Sequence, residues 1–342
     1  MKKLVMLSII TAMLSCKEKL PVIKPVVITE KTPNDTDDPA IWVNRENPEE
    51  SIVFGTDKGS HDVADSGVYA FDLSGKIIPE KSITGLIRTN NADVEYGLKL
   101  NDSTYTDILV FTERGRGQIR VFSVPDMAPL DNGGFKVFTD AGDSNPEFKE
   151  PMGVAVYRNP DTGRVYAIVS RKNGPSEGYL YQYELAPGEG GLQAGLVRKF
   201  GRFSGKKEIE AIAVDDALGY IYYSDEQQGI RKYYADPGKG DEELAFFGGE
   251  HFEDDNEGIA IAAYPDGSGY IIVSNQGANN FNFFRRNDNT FVKTLNLGTT
   301  STDGCEITLE PLGPSFPNGL FVSMNDAKNF FYHPADSLSL TE

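Results

Sequence analysis

The chain has 342 residues, with 51 Asp or Glu against 33 Lys or Arg and a formal charge of −18. That acidity excludes direct nucleic-acid binding, which needs basic neutralisation of phosphates, while 11% aromatic and 39% hydrophobic residues suffice for a packed core and exclude an acidic disordered chain. Two cysteines cannot build a disulfide scaffold or a four-cysteine zinc site, and 35 glycines among many aromatics point to an all-β protein.

In chain order, Lys2 and Lys3 precede an apolar run from Leu4 to Leu14 that ends at Ser15-Cys16. This is the pattern of a cleaved signal, and the run is too short to span a bilayer comfortably. Met13-Leu14-Ser15-Cys16 resembles a bacterial lipobox. The expectation is therefore a lipoprotein signal over residues 1–15, lipid on Cys16, a tether over 16–24 and one domain over 25–342. Membrane contact is expected through the lipid alone, in the cell envelope. With Cys16 lipidated, Cys305 has no disulfide partner.

From residue 38 onward a motif recurs in which an acidic residue leads a small, apolar β-run. It appears at Asp38, Asp93, Glu150, Glu210, Glu257 and Asp303, in steps of 55, 57, 60, 47 and 46 residues. A second apolar run follows each copy and ends in polar residues, as in Thr56-Asp57-Lys58, Thr112-Glu113-Arg114, Ser170-Arg171-Lys172, Ser224-Asp225-Glu226, Ser274-Asn275-Gln276 and Ser323-Met324-Asn325. A third, aromatic run and in five copies a fourth complete the unit. Four short strands per unit and six units predict a six-bladed β-propeller. The sixth copy lacks a fourth run, and Val26 to Thr29 is expected to supply it and close the ring.

Antiparallel geometry brings the residues before the first strand and after the second to one mouth of the channel. The incoming set is Asp35, Asp37, Asp38, Asn90, Asn91, Asp93, Glu147, Glu150, Glu208, Glu210, Asp254, Asp255, Glu257 and Asp303. The outgoing set is Lys58, Arg114, Arg171, Lys172, Glu226 and Gln276. Crowded carboxylates cannot all stay ionised without compensation. Hard divalent cations with oxygen ligands fit this set. The three histidines, His61, His251 and His333, have no zinc-like spacing. Lys58, Arg114 and Lys172 fall at equivalent positions and place a basic sector beside an acidic one, which suits an anion carrying several phosphates.

These residues resemble the β-propeller phytases, a calcium-dependent phosphatase family, over nearly the whole mature chain. The resemblance rests on Asp37-Asp38-Pro39-Ala40-Ile41-Trp42, Asn90-Asn91-Ala92-Asp93, Asp255-Asn256-Glu257-Gly258, Ser274-Asn275-Gln276-Gly277 and Ser301-Thr302-Asp303-Gly304. It implies several Ca²⁺ ions held by Asp37, Asp38, Asn90, Asn91, Glu210, Glu226, Asp255, Glu257, Gln276 and Asp303. It implies phosphate contact by Lys58, Arg114 and Lys172, and a catalytic centre of those three with Glu210 and Asp255. The implied activity is hydrolysis of phytate, or other inositol phosphates, by a monomeric 3-phytase-type enzyme. Two departures stand out. Met152-Gly153 occupies the place of a family Tyr-Gly, and the loop 298–302 lacks an acidic residue often found there.

No motif for a covalent phosphoenzyme is present: Cys305 has no Arg five residues on, and there is no Arg-His-Gly. The expected route is attack of a metal-bound water on phosphorus. The rival readings are a six-bladed calcium lactonase or esterase, which needs no phosphate clamp, and a non-catalytic surface propeller that binds a partner.

Overall fold

The structure, a computed structural model, describes residues 20–340, so the signal segment and Cys16 lie outside the described residues. Six four-stranded antiparallel sheets surround a channel, and among the described residues the only helical turns are 3₁₀ turns of three or four residues. The protein is a six-bladed β-propeller. The innermost strands are Thr36–Trp42, Thr89–Lys99, Pro151–Arg158, Ile212–Asp215, Ile259–Ala263 and Cys305–Thr308. Within blades 1 to 5 each strand pairs with the next in sequence.

Ring closure occurs as expected. Val27–Ile28 forms the outermost strand of blade 6, pairing Val27 with Tyr332 and Ile28 with Phe331. The segment before it also lies against the ring, since Ile23 N donates to Asn296 O at 2.9 Å. An N-terminal strand and a C-terminal sheet thus leave no gap between the last blade and the first, and no seam along which the ring could open.

Burial explains why the second strands are apolar on both faces. Ile52–Asp57, Val165–Arg171 and Leu320–Asn325 are buried at every position, because a blade is sandwiched between its two neighbours. The core divides accordingly into six apolar clusters, one per interface. Val110 and Val121 of blade 2 meet Val154 and Tyr181 of blade 3, and Val53 and Phe71 of blade 1 meet Phe330 and Tyr332 of blade 6. Gly55 belongs to that last interface for lack of room: a Cβ there would lie 2.2 Å from the Phe330 ring.

Polar stitches cross the same interfaces near the mouth. In blades 2 to 5 the Ser or Thr at the end of the second strand donates to a backbone carbonyl of the next blade, whereas Thr56 of blade 1 donates to Asp38 O of its own blade at 3.3 Å. Thr112 Oγ1 reaches Met152 O at 2.7 Å, Ser170 Oγ reaches Ile209 O at 2.6 Å and Ser274 Oγ reaches Thr302 O at 2.6 Å. Ser224 Oγ donates likewise to Asn256 O. The sixth blade departs from the expected alignment. Met324, not Ser323, stands at this position, because Cys305 pairs with Ser323 just as Ile259 pairs with Val273, one residue before Ser274.

Ser170 makes two of these contacts, accepting from Gly153 N at 2.8 Å as well as donating to Ile209 O. Replacing it with Ala strands a buried donor and a buried acceptor. Ser170→Ala should lower the unfolding free energy by about 1–3 kcal/mol. Urea denaturation followed by tryptophan fluorescence measures it, and an unchanged midpoint would contradict the stitch.

Candidate functional site

The registers of the first two strands place the mouth residues in two concentric rings. Pro39 faces Gly55, Ala92 faces Phe111, Val154 faces Val169, Ile212 faces Tyr223, Ile259 faces Val273 and Cys305 faces Ser323. Stepping back two residues from each first-strand anchor gives an inner ring of Asp37, Asn90, Met152, Glu210, Glu257 and Asp303. Stepping on three residues from each second-strand anchor gives an outer ring of Lys58, Arg114, Lys172, Glu226, Gln276 and Asp326.

The loop before each first strand is anchored to the second strand of its own blade. Asp57 accepts from Asn34 N at 2.9 Å, Glu113 from Ile87 N at 3.1 Å and Asp225 from Ser204 N at 3.0 Å. Asn275 and Asn325 do the same for Glu253 N and Thr300 N, both at 3.0 Å. The polar residue that ends each second strand therefore holds the loop, and the residue after it faces the mouth. Arg171 occupies the anchoring place in blade 3 and not the mouth. Its guanidinium packs over the rings of Phe138 and Tyr181 and donates to Gly178 O at 3.1 Å.

Side chains of the rings touch directly. Lys58 Nζ lies 2.9 Å from Asp37 Oδ1 and 2.8 Å from Asp303 Oδ2, bridging blades 1 and 6. Asn90 Nδ2 donates to Asp37 at 3.1 Å and to Glu210 at 3.4 Å. Gln276 Nε2 donates to Asp303 at 2.6 Å and to Glu257 at 3.1 Å. Arg114 Nε holds Glu150 at 2.9 Å, and Lys172 pairs with Glu208. Of the expected site residues, Asp37, Asn90, Glu210, Glu226, Asp255, Glu257, Gln276, Asp303 and Lys58 form one contiguous patch. Lys172 borders the patch through Glu208, and Arg114 is held beside it by Glu150.

Asp38 and Asn91 lie one residue deeper and line a channel cavity of about 840 Å³. Asp38 Oδ2 accepts from Ala92 N at 3.2 Å. Asp93, expected at the mouth, sits deeper still in the channel. Its carboxylate accepts from Val156 N and Val94 N, each at 2.7 Å. The register explains the difference: Asn90 holds the inner-ring place of blade 2, and Asp93 falls three residues beyond it, just past the anchor Ala92. None of the three histidines touches the carboxylate patch: His61 is exposed beside Asp62. His251 stacks on Phe291, and His333 is buried beside Ile23 O.

One mouth residue was missed from sequence. Lys207 precedes Glu210 on the loop leading into blade 4, and its ammonium sits among Glu226 at 3.1 Å, Glu257 at 3.3 Å and Asp255. Its signal was the pair Lys206-Lys207 directly before Glu208. Glu208 also enters the patch, beyond the set that the resemblance implied.

Oxygen ligands converge at two points. One oxygen from each of Glu208, Glu210 and Glu226, and likewise from Glu226, Asp255 and Glu257, lies within 4.8 Å of the others. Seven carboxylates there (Asp37, Glu208, Glu210, Glu226, Asp255, Glu257, Asp303) face three ammoniums, Lys58, Lys172 and Lys207, leaving four formal negative charges. Glu226 is fully buried, yet neither of its oxygens accepts a directed hydrogen bond. The buried Oδ1 atoms of Asn90 and Asn91 are also without a donor. All of these are oxygen ligands, and orphaned acceptors of this kind fit a hard divalent cation. Burial, reinforced by Glu210, pushes the Glu226 carboxyl up to about 9. The same causes push Glu257 up to about 8, and burial pushes Asp303 up to about 8 against the opposing pull of Lys58.

With this geometry in view, comparison with known proteins is specific. A family model described as Phytase matches residues 7–331. A 3-phytase of Bacillus subtilis (strain 168) is 32% identical over 302 residues, covering 84% of this chain and 74% of the relative.

The raised carboxyls fix the pH response of the metal-free protein. Glu226 and Glu257 titrate near 4.5 when unfolded and at about 9 and about 8 when folded. Their contribution is fully present below the unfolded value and is lost as pH rises through the folded one. The melting temperature of chelator-treated protein should therefore fall steadily from about pH 5 to about pH 9. Excess calcium should remove most of that fall. A flat profile without metal would show that the ring is not under electrostatic strain.

Proposed function

This chain belongs to the phytase family and is a phytase, and from that premise we propose a calcium-dependent phosphomonoesterase that releases phosphate from phytate by direct attack of water. The observation that carries the reading is the pairing of two sectors on one mouth. Convergent, under-compensated oxygens occupy blades 4 to 6, and Lys58, Arg114 and Lys172 occupy the outer ring of blades 1 to 3. A lactonase needs no such basic sector, and a binding propeller needs no convergent carboxylates.

Asp37, Glu210, Glu226, Asp255, Glu257 and Asp303 would hold the metal through carboxylate oxygens, and Asn90 and Gln276 would add amide oxygens. Asp38 and Asn91 support the ring from the channel side. Bound calcium supplies Lewis-acid stabilisation of the charge that grows on the phosphoryl oxygens and acidifies a neighbouring water. Arg114, held by Glu150 through Nε, keeps its terminal nitrogens for a bidentate phosphate contact. Lys172 and Lys58 act as point charges on the same anion or on its neighbours around the inositol ring. Glu210 and Asp255 accept hydrogen bonds from the attacking water and orient it in line with the breaking bond from phosphorus to the inositol oxygen. Met152 leaves the inner ring of blade 3 without a polar ligand, so the transferred phosphate is gripped there by outer-ring cations alone.

The sequence context adds export. We read residues 1–15 as a lipoprotein signal and Cys16 as the lipid site, with a monomeric propeller displayed at the envelope. Cys16→Ser should move the protein from the membrane pellet to the soluble fraction; continued pelleting would remove the anchor.

Phosphate release from phytate tests the whole reading. Activity should disappear in chelator and return with calcium, and Lys172→Ala should cut turnover at least tenfold, about 1.4 kcal/mol of lost transition-state stabilisation, in a chain that still folds. Full turnover in protein verified to be metal-free would end the calcium mechanism.

A further inference from the structure

Lys207 differs from Lys58 in its setting and from Lys172 in its partners, since Lys172 pairs with Glu208 and Lys207 meets three carboxylates. Lys58 is enclosed, with a side chain 14% exposed between Asp37 and Asp303. Lys207 reaches its partners from outside, on the loop before blade 4, and keeps 34% of its side chain exposed. The loop carries Gly205 at φ +72°, with nothing within 4 Å of where a Cβ would sit.

The three partners of Lys207 are the carboxylates whose oxygens converge within 4.8 Å, Glu226, Asp255 and Glu257. Two of them have other support. Asp255 accepts from Gln227 Nε2 at 3.0 Å and Glu257 from Gln276 Nε2 at 3.1 Å. Glu226 has none, although it is fully buried and aimed into the cluster. Its compensation is the ammonium 3.1 Å from Oε2. A single positive charge against three carboxylates is an incomplete match that a divalent ion improves. The ammonium and such an ion cannot share the place where those oxygens meet.

We propose that Lys207 is a displaceable internal counter-ion: its ammonium holds the Glu226–Asp255–Glu257 position in the metal-free protein, and a divalent cation takes that position only by driving it out. The inference rests on the calcium reading above and deepens it. Lys207 sets the calcium concentration at which the mouth loads, and it spares the empty ring from its own repulsion. On loading, one ammonium leaves and one divalent ion enters, so the cluster changes by one unit of positive charge. The released side chain stays on the rim, beside the anion-binding sector.

Calorimetric titration of chelator-stripped protein with calcium chloride tests this directly. Lys207→Gln should bind calcium at least tenfold more tightly than the natural chain, through removal of a competing charge at contact distance. It should also melt at a lower temperature when metal-free. Lys207→Arg, which keeps the charge, should bind no more tightly than the natural chain. Equal calcium affinity in the natural chain and Lys207→Gln would overturn the proposal while leaving the calcium reading intact. Absence of calcium binding by the natural chain would instead overturn that reading, and the inference with it. A second measurement needs no variant. Acetic anhydride labelling of the natural chain, read by peptide mass spectrometry against exposed Lys76, should rise at Lys207 when calcium is added. Unchanged labelling under calcium saturation would overturn the proposal.

Discussion

Repulsion among carboxylates confined to one end of a narrow ring is the constraint from which the rest follows. Glu226 has no exposure and no directed hydrogen bond, and Asp37 has none to spare beyond Lys58 and Asn90. Such groups would relax apart on a flexible surface. They cannot do so here: the residues before Glu210, Glu257 and Asp303 have carbonyls held by a Ser of the preceding blade, and the loops leading into the first strands are anchored by their own second strands. The six apolar interfaces provide the rigidity, and the closing strand Val27–Ile28 prevents the ring from opening to relieve the strain. Fold stability and site chemistry are thus opposed at the mouth: packing holds together what charge would separate. Cations, whether ammonium or metal, reconcile the two.

Much of this was legible in the sequence because it repeats. Two β-runs separated by a turn, with an acidic residue before the first and Thr-Asp-Lys or its equivalent after the second, carry both the fold and the site. Three things were not legible. In blade 2 an amide, Asn90, holds the inner-ring place, so the acidic Asp93 three residues on reads as a mouth residue although it lies in the channel. The sixth blade replaces the stitching hydroxyl by buried Met324, and the adjacent Ser323 draws the register off by one. Lys207 comes from a loop, whose path no strand periodicity predicts, and only its contacts reveal where its charge goes.

The two rings also explain the polarity of the mouth. In blades 4, 5 and 6 the inner positions are Glu210, Glu257 and Asp303, all carboxylates, and the outer positions are Glu226, Gln276 and Asp326. In blades 1, 2 and 3 the outer positions are Lys58, Arg114 and Lys172, over inner positions Asp37, Asn90 and Met152. Negative charge therefore accumulates on one half of the ring and positive charge on the other, with Lys58 at the junction touching both Asp37 and Asp303. A polyanion cannot approach the acidic half of the bare protein, since the field there is repulsive and focused by low-dielectric walls. It can anchor on the basic half, where the inner position of blade 3 is the apolar Met152. On the proposed calcium reading, a second phosphate would reach across the mouth from that anchor and would find an attractive field once divalent charge had replaced or outweighed the ammoniums among the carboxylates. On that reading substrate binding and metal loading would be coupled through the same rim, and a substrate with several phosphates around one small ring has the shape to span both halves at once.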